Sequence, residues 1–440
     1  YDNASRRATM TVVGQTQVTY TYDNANRLTT ITQGTSTVTI GYDDADRRTS
    51  VTYPNTNKVE YLYNVASEPT TVTYKQGTTT LGALTYTYDL AGNRIKTGGT
   101  FARSNIPPAL TTTSYNANNQ QTTFGTSTET YDLNGNLATT TDAGVTTTYT
   151  WNARNQLTGL SRTGLTASFT YDSFGRRTGK TINGTTTNFV YDGLNPVQEK
   201  NGATVTANLM TGRGIDEFFT RTDGVGVRSL LPDALGSTVA LGDGTGTLQT
   251  QYTYEPFGVT TQTGAASNSS YKYTGREDDG SGLHYYRARY YQPRLQRFMA
   301  EDPLGFSGGD VNFYAYVAGN PITWRDPLGH FALVLPLIPP LVDAGLAVGG
   351  ILAGGIVGQI ISDIINSDDT VTYPDNPDRA PEKFERLPKS KAKQCTDDGS
   401  IWEPDTSKHG GKQWKRWPDK RSWQKGATPN SLWPDGRIRK

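Results

Sequence analysis

Cysteine is nearly missing: Cys395 is the only one in 440 residues. That excludes an internal disulfide framework and a cysteine-built zinc cage, so stability must come from repetition and burial. Histidine is scarce as well, and of the three in the chain only His409 lies beyond residue 330. A zinc or HNH-type nuclease centre near the C-terminus would lack ligands, so no metal and no cofactor is expected. Charged residues are 19% of the chain and hydrophobic residues 34%, a balance that fits neither a standard enzyme nor a disordered tail. A signal peptide is also not visible: the chain opens on Tyr1-Asp2-Asn3, in what reads as the middle of a repeat. It therefore reads as a fragment whose export signal, if there is one, lies upstream.

What is abundant is threonine, tyrosine, glycine and asparagine up to about residue 300. Branched and aromatic side chains suit a pleated surface, which predicts many short strands joined by turns. Tyr-Asp pairs recur at Tyr1, Tyr22, Tyr42, Tyr88, Tyr131, Tyr171 and Tyr191, with weaker copies at Tyr63-Asn64, Tyr115-Asn116 and Trp151-Asn152. The commonest interval is 20 residues, and turn formers such as Asn134-Gly135-Asn136 and Phe174-Gly175-Arg176 follow the pairs. One hairpin per repeat cannot bury a face alone, so neighbouring hairpins must stack into a long curled sheet. In each pair Tyr packs and Asp caps a turn, a structural role rather than a catalytic one.

The pattern YDxxGRR at 171–177 resembles the YD repeat of RHS and teneurin-like proteins. The stretches YEPFG (254–258), YTGREDDGSGLHYYRARYYQPRLQRF (273–298), EDPLGFSGGDVNFYAYVAGNP (301–321) and WRDPLG (324–329) resemble the RHS-associated core in the same order. The resemblance covers residues 1 to about 330. It implies a mostly β protein, a YD-repeat β-shell or cocoon of stacked hairpins around a toxic C-terminal segment. The predicted division is repeats over 1–253, RHS core with a self-cleavage motif over 254–329, a hydrophobic joint over 330–366, a linker over 367–394 and a small α+β or β toxin domain over 395–440.

Two DPLG tetrads start at Asp302 and Asp326. Two carboxylates sharing a sheltered site can act as one acid and one base, the requirement of aspartyl peptide hydrolysis. Spacing alone cannot bring them together, and Asp-Pro followed by Gly is also an ordinary turn. The RHS resemblance implies autoproteolysis just after the second tetrad, with Asp302 and Asp326 as catalytic carboxylates and Arg297 or Arg325 as electrostatic helpers. Cleavage would then fall near Gly329, His330 or Phe331; His330 stands where the family usually has Leu.

Beyond Phe331 an apolar, proline-containing run leads into residues 344–362, which hold six glycines and no charge. Nineteen residues approach the roughly 20 that span a bilayer, so membrane contact there stands beside a buried plug inside the shell. From Thr396 to Lys440, ten Lys/Arg face six Asp/Glu, a local charge of +4, and five of the seven tryptophans fall there. Trp414 and Trp417, interleaved with Lys415 and Arg416 and followed by Arg439, suit stacking and pairing with RNA; a tryptophan-rich core is the structural alternative. RNA cleavage by 2′-hydroxyl attack needs a base, an acid and a cation, which Glu403 or Asp405, His409 and Arg437 can supply. The W-E-x-D…H-G-G segment with its basic ending resembles the ribonuclease domains of ribosome-targeting colicins and related polymorphic toxins.

The reading at this point is a secreted or surface-delivered polymorphic toxin of interbacterial competition. Its shell releases a metal-independent ribonuclease that acts on ribosomal or transfer RNA in the target-cell cytoplasm. Such a toxin implies an acidic immunity protein as partner, together with the upstream part of the same polypeptide. A YD-type adhesion scaffold without an enzymatic tail, and a pore-former acting through residues 344–362, are the alternatives.

Overall fold

The computed structural model describes residues 1–330 except 104 and 111, and then residues 383–387, 391–396, 400–404, 414–417, 420 and 430–432. Contacts divide the chain into two compact units, Tyr1–Asp343 and Ala344–Lys440.

The first unit carries a nine-stranded sheet from Thr9–Met10 to Arg94–Gly98, a sixteen-stranded sheet from Thr113–Tyr115 to Thr260–Gly264, and a four-stranded sheet from Glu277–Asp278 to Arg297–Phe298. Each described strand of these sheets pairs antiparallel with its neighbours in sequence, so each sheet is a meander without crossovers. The alternation behind this is visible in the strand Val18–Tyr22, where Val18 and Tyr20 are buried and Thr19 and Thr21 are exposed. Outward threonines of adjacent strands bond across the ladder, as Thr130 and Thr139 (2.6 Å) and Thr141 and Thr146 (2.9 Å) do. Such cross-strand pairs stabilise a solvated sheet face without apolar burial.

The Tyr-Asp pair ties each repeat to its neighbours. Asp23 Oδ1 accepts the N–H groups of Ala25 and Arg27, both at 2.9 Å, while its Oδ2 accepts Arg27 Nε at 2.7 Å. Arg27 Nη1 then donates onward to Asp43 O (3.0 Å) and Asp46 Oδ1 (2.8 Å) in the next turn. The third residue after the Asp is left-handed, Asn26 at φ +65° here and Gly175 at φ +82° in the YDxxG copy, which is why only Gly, Asn or a similarly tolerant residue serves well. The tyrosine points the other way: Tyr42 Oη donates to Leu28 O (2.9 Å) and Tyr171 Oη to Leu157 O (2.6 Å), and Trp151 Nε1 does the same to Leu137 O (2.8 Å).

The nine- and sixteen-stranded sheets share one core. Ile31, Val38, Val59, Val72 and Tyr74 of the first pack with Met210, Phe219, Leu231 and Ala240 of the second. Full burial of each such aliphatic side chain is worth about 1.5–3 kcal/mol relative to exposure. Tyr53 and Tyr74 reach across to the carbonyls of Leu230 (2.8 Å) and Pro232 (2.9 Å), so their hydroxyls are satisfied inside the core. The four-stranded sheet is fastened to the sixteen-stranded one by a buried ion cluster. Arg177 binds Glu277 and Asp279, and Lys180 also binds Asp279 (2.8 Å). Tyr285 Oη accepts the Arg177 N–H at 2.9 Å.

In the second unit the described strands, Phe384–Arg386, Lys393–Cys395, Ile401–Pro404, Trp414–Trp417 and Asn430–Leu432, form one antiparallel sheet in sequence order. Leu387, Ala392, Ile401 and Trp417 make a small core, and Trp402 is buried edge-on against Phe384.

Candidate active site

The second DPLG tetrad meets the first because of one tight hairpin. Strands His284–Tyr286 and Arg289–Gln292 are joined by two residues, and the first of these, Arg287, has φ +61°. A left-handed conformation costs an ordinary residue roughly 1–2 kcal/mol, and the anchoring of Arg287 offsets it. Its guanidinium binds Asp216 Oδ1 (2.7 Å), Leu194 O (3.0 Å) and the Pro327 carbonyl. Ala288 N–H donates to Leu328 O (3.2 Å). The hairpin therefore holds the second tetrad by its backbone on one side.

Arg289 then holds it from within. Its Nε donates to Gly329 O at 2.6 Å, its Nη1 to Phe313 O at 2.8 Å and its Nη2 to Asp302 Oδ2 at 2.9 Å. The same Nη2 stands 3.7 Å from Asp326 Oδ2. The guanidinium lies over the ring of Phe298, 3.7 Å from ring centroid to Cζ. Burial pushes the Arg289 guanidinium below its ordinary value against the pull of Asp326 and Asp302.

The two carboxyls differ. Asp326 is 1% exposed, and its Oδ1 accepts the N–H groups of Leu328 (3.2 Å), Gly329 (2.8 Å) and His330 (3.1 Å). Burial nevertheless prevails and raises the Asp326 carboxyl above the usual aspartate range, because Arg289 and the backbone donors only partly offset it. Its Oδ2 is beyond hydrogen-bond reach of Arg289 and suits a proton. Asp302 keeps the ion pair with Arg289, and its Oδ1 accepts the Leu304 N–H at 2.8 Å. One carboxyl raised by burial beside one paired with an arginine is the kind of asymmetry that acid–base hydrolysis uses.

The backbone around the second tetrad is equally specific. Gly329 has φ +73°, and a Cβ there would lie 2.2 Å from Tyr286 O. A Cβ on Gly308 would lie 2.7 Å from Asp302 Oδ2 and 3.0 Å from His330 O, so the Asp302 carboxylate and the His330 carbonyl share the space over one bare Cα.

The expected residues Asp302, Asp326, Gly329 and His330 thus come together. Arg297 does not join them. Its Nη2 is bound to Asn119 O (2.8 Å) and Asn312 Oδ1 (3.2 Å), and its guanidinium lies over the rings of Tyr115 and Tyr314. Arg325 is directed to Leu235 O (3.2 Å). Arg289 takes the place expected of either; the sequence signal for it is an arginine flanked by Tyr285-Tyr286 and Tyr290-Tyr291, where burial favours a carboxylate partner, and Arg287 shares that setting.

In the second unit, Glu403 is half-buried and lies opposite Lys415 in register. Trp417 belongs to the core, so its ring is not open to stacking on RNA; burial within a small sheet claims it first. Arg416 lies 5.9 Å over the ring of the buried Trp402. Trp414 is on the same strand as Lys415. Phe331, Asp405, His409, Arg437 and Arg439, and the whole of 344–362, lie outside the described residues. Among the described residues no helix is long and apolar enough to cross a membrane.

Stacked YD hairpins closed on an RHS core define a YD-repeat β-shell protein. The Teneurin YD-shell profile matches residues 1–81 and 76–322, and the chain belongs to that family. It is similar to toxin subunit YenC1 of Yersinia entomophaga, 42% identical over 100 residues, 22% of this chain and 10% of that protein. It is also similar to the tRNA nuclease WapA of Bacillus subtilis, 37% identical over 122 residues, 26% of this chain and 5% of that protein. The chain therefore aligns with a tenth or less of these relatives. The solved Photorhabdus luminescens Tc holotoxin pore covers 76% of this chain, with 21% of that chain aligned, at TM-score 0.57 and 20% identity, a likeness of fold.

Proposed function

We propose that the YD-shell cuts its own chain after His330 and so releases the C-terminal segment as a toxic effector. The observation that carries this is the single Arg289 guanidinium between Asp302 and Asp326, with the Gly329 carbonyl on its third arm. The Gly329–His330 peptide is anchored at both ends, its oxygen on Arg289 and its N–H on Asp326 Oδ1. The next carbonyl, that of His330, and the Asp302 carboxylate both face the bare Cα of Gly308, which supports the bond to residue 331 as the one attacked. Asp302 takes a proton from water as the hydroxyl adds to the His330 carbonyl carbon. Asp326 gives its proton to the leaving nitrogen as the C–N bond breaks, leaving a carboxylate on His330 and an amine on residue 331. Expression of the intact chain beside Asp302→Asn and Asp326→Asn tests this. A fragment beginning at residue 331 is expected from the parent alone, and the same fragment from either variant would overturn the reading.

For the released segment the finer proposal is a metal-independent ribonuclease, with Glu403 or Asp405 and His409 as base and acid and Arg437 as the cation. The +4 charge of residues 396–440 supports an RNA substrate, and the WapA relative is a tRNA nuclease. Secretion or surface delivery, action in the target-cell cytoplasm and an acidic immunity partner belong to this proposal. The released fragment should degrade ribosomal or transfer RNA and lose that activity on His409→Ala; equal RNA decay with and without His409 would end the ribonuclease reading.

A further inference from the structure

His330 occupies, in the second DPLG turn, the position that arginine occupies in the YD turn: four residues after the capping aspartate, as Arg27 follows Asp23. In the YD turn that side chain folds back on its own aspartate, Arg27 Nε to Asp23 Oδ2 at 2.7 Å. His330 instead faces the other carboxyl. Its backbone N–H serves Asp326 Oδ1 (3.1 Å), while its imidazole Nδ1 stands 3.9 Å from Asp302 Oδ1. That nitrogen is buried and makes no hydrogen bond. A buried ring nitrogen held near a carboxylate without bonding it is unexplained by folding alone, since an unmet polar atom costs about 1–3 kcal/mol.

We infer that His330 is a positioning residue for Asp302, and that through it the segment to be cut makes its own release depend on pH. This rests on the self-cleavage reading above. Among the described residues, the charged groups around the imidazole are Asp302 in the first DPLG turn, Asp326 on its own segment and, behind Asp302, Arg289 of the hairpin. From the turn Gly305–Gly308, Gly308 presents its bare Cα to the His330 carbonyl. A protonated imidazole gives Asp302 a second cation beside Arg289 and draws Oδ1 onto Nδ1–H, which weakens Asp302 as a base. A neutral imidazole leaves Oδ1, which also accepts the Leu304 N–H, able to take the proton of water. Of the side chains in the site, imidazole is the type that ordinarily changes charge between pH 5 and 8.

The test is self-cleavage kinetics of the full chain, captured in urea at synthesis and diluted into buffers from pH 5.5 to 7.5, with the fragment followed by mass spectrometry. The parent should cut several-fold more slowly at pH 5.5 than at 7.5. His330→Leu and His330→Gln should vary less than about twofold over that range, because neither side chain ionises. Two variants of different polarity guard against misfolding, and the melting temperature of each reports an intact shell. A parent-like acid limb in both variants, with Asp326→Asn inert, would overturn this inference and leave self-cleavage standing. Fragment from Asp326→Asn, or none from any chain, would overturn both.

Discussion

Asp23 and Asp326 open turns on the same plan, and their surroundings drive them in opposite directions. Each caps the N–H groups two and four residues ahead, and each is followed at the third position by a left-handed residue, Asn26 at φ +65° or Gly329 at φ +73°. The Asp23 side chain is 25% exposed and bonded to its own Arg27; that of Asp326 is 2% exposed, with Arg289 at 3.7 Å. At Asp23 burial is the largest single influence, yet the backbone N–H and guanidinium of Arg27 together outweigh it and lower the carboxyl. At Asp326 burial wins and raises it. A turn that supports a repeat becomes a candidate acid by being placed under another sheet and denied a close arginine.

The comparison can be broken most sharply at Arg289. Arg289→Gln should slow appearance of the fragment at least about 100-fold, since it removes the cation paired with Asp302 and the donor on Gly329 O. A fragment appearing at the parental rate would make the shared guanidinium a purely structural clamp. Gly308→Ala should cost about as much through displacement of the Asp302 carboxylate by ångström amounts, with little change in melting temperature. The mirror experiment is Asp23→Ala. It should lower stability by about 1–2 kcal/mol, a fall of roughly 2–4 °C for a domain of this size, and leave cleavage untouched. If the fragment yield fell in proportion, the repeat turns and the site would be one cooperative unit.

The smallest effect is one of sign. Asp326, raised in the folded state, contributes stability below its ordinary value of 3.8 and loses it as pH rises through the folded value. Asp326→Asn should therefore match the parent in melting temperature near pH 3 and exceed it near pH 7. Asp23 and Asp43, lowered on folding, contribute stability above 3.8 that disappears as pH falls through their folded values, so Asp23→Asn should be less stable than the parent at pH 7 and converge with it in acid. Melting curves of both variants across pH 2–7 would expose a common trend, which would refute the contrast.

Much of the fold was legible because its rules are local. The Val18–Tyr22 alternation, the Asp–x–x–left-handed turn and the tyrosine bond to the preceding repeat all operate within about twenty residues, so the all-β hairpin meander follows from the chain itself. The pair Asp302 and Asp326 was also readable, though as a resemblance, since spacing does not bring two turns together. Arg297 and Trp417 show where reading stopped: an arginine near the first tetrad and a tryptophan among basic residues look functional until packing assigns one to Asn119, Asn312 and tyrosine rings and the other to a core.

The sequence by itself determined the repeat, its turns and the residue types able to carry out hydrolysis. Only the tertiary structure decided that Arg289 stands between the two carboxyls, that Asp326 is buried while Asp23 is not, and that the His330 imidazole turns toward Asp302. Hydrogen bonds within a turn are set by neighbouring residues, whereas burial and charge pairing belong to whichever distant strands close over the same place.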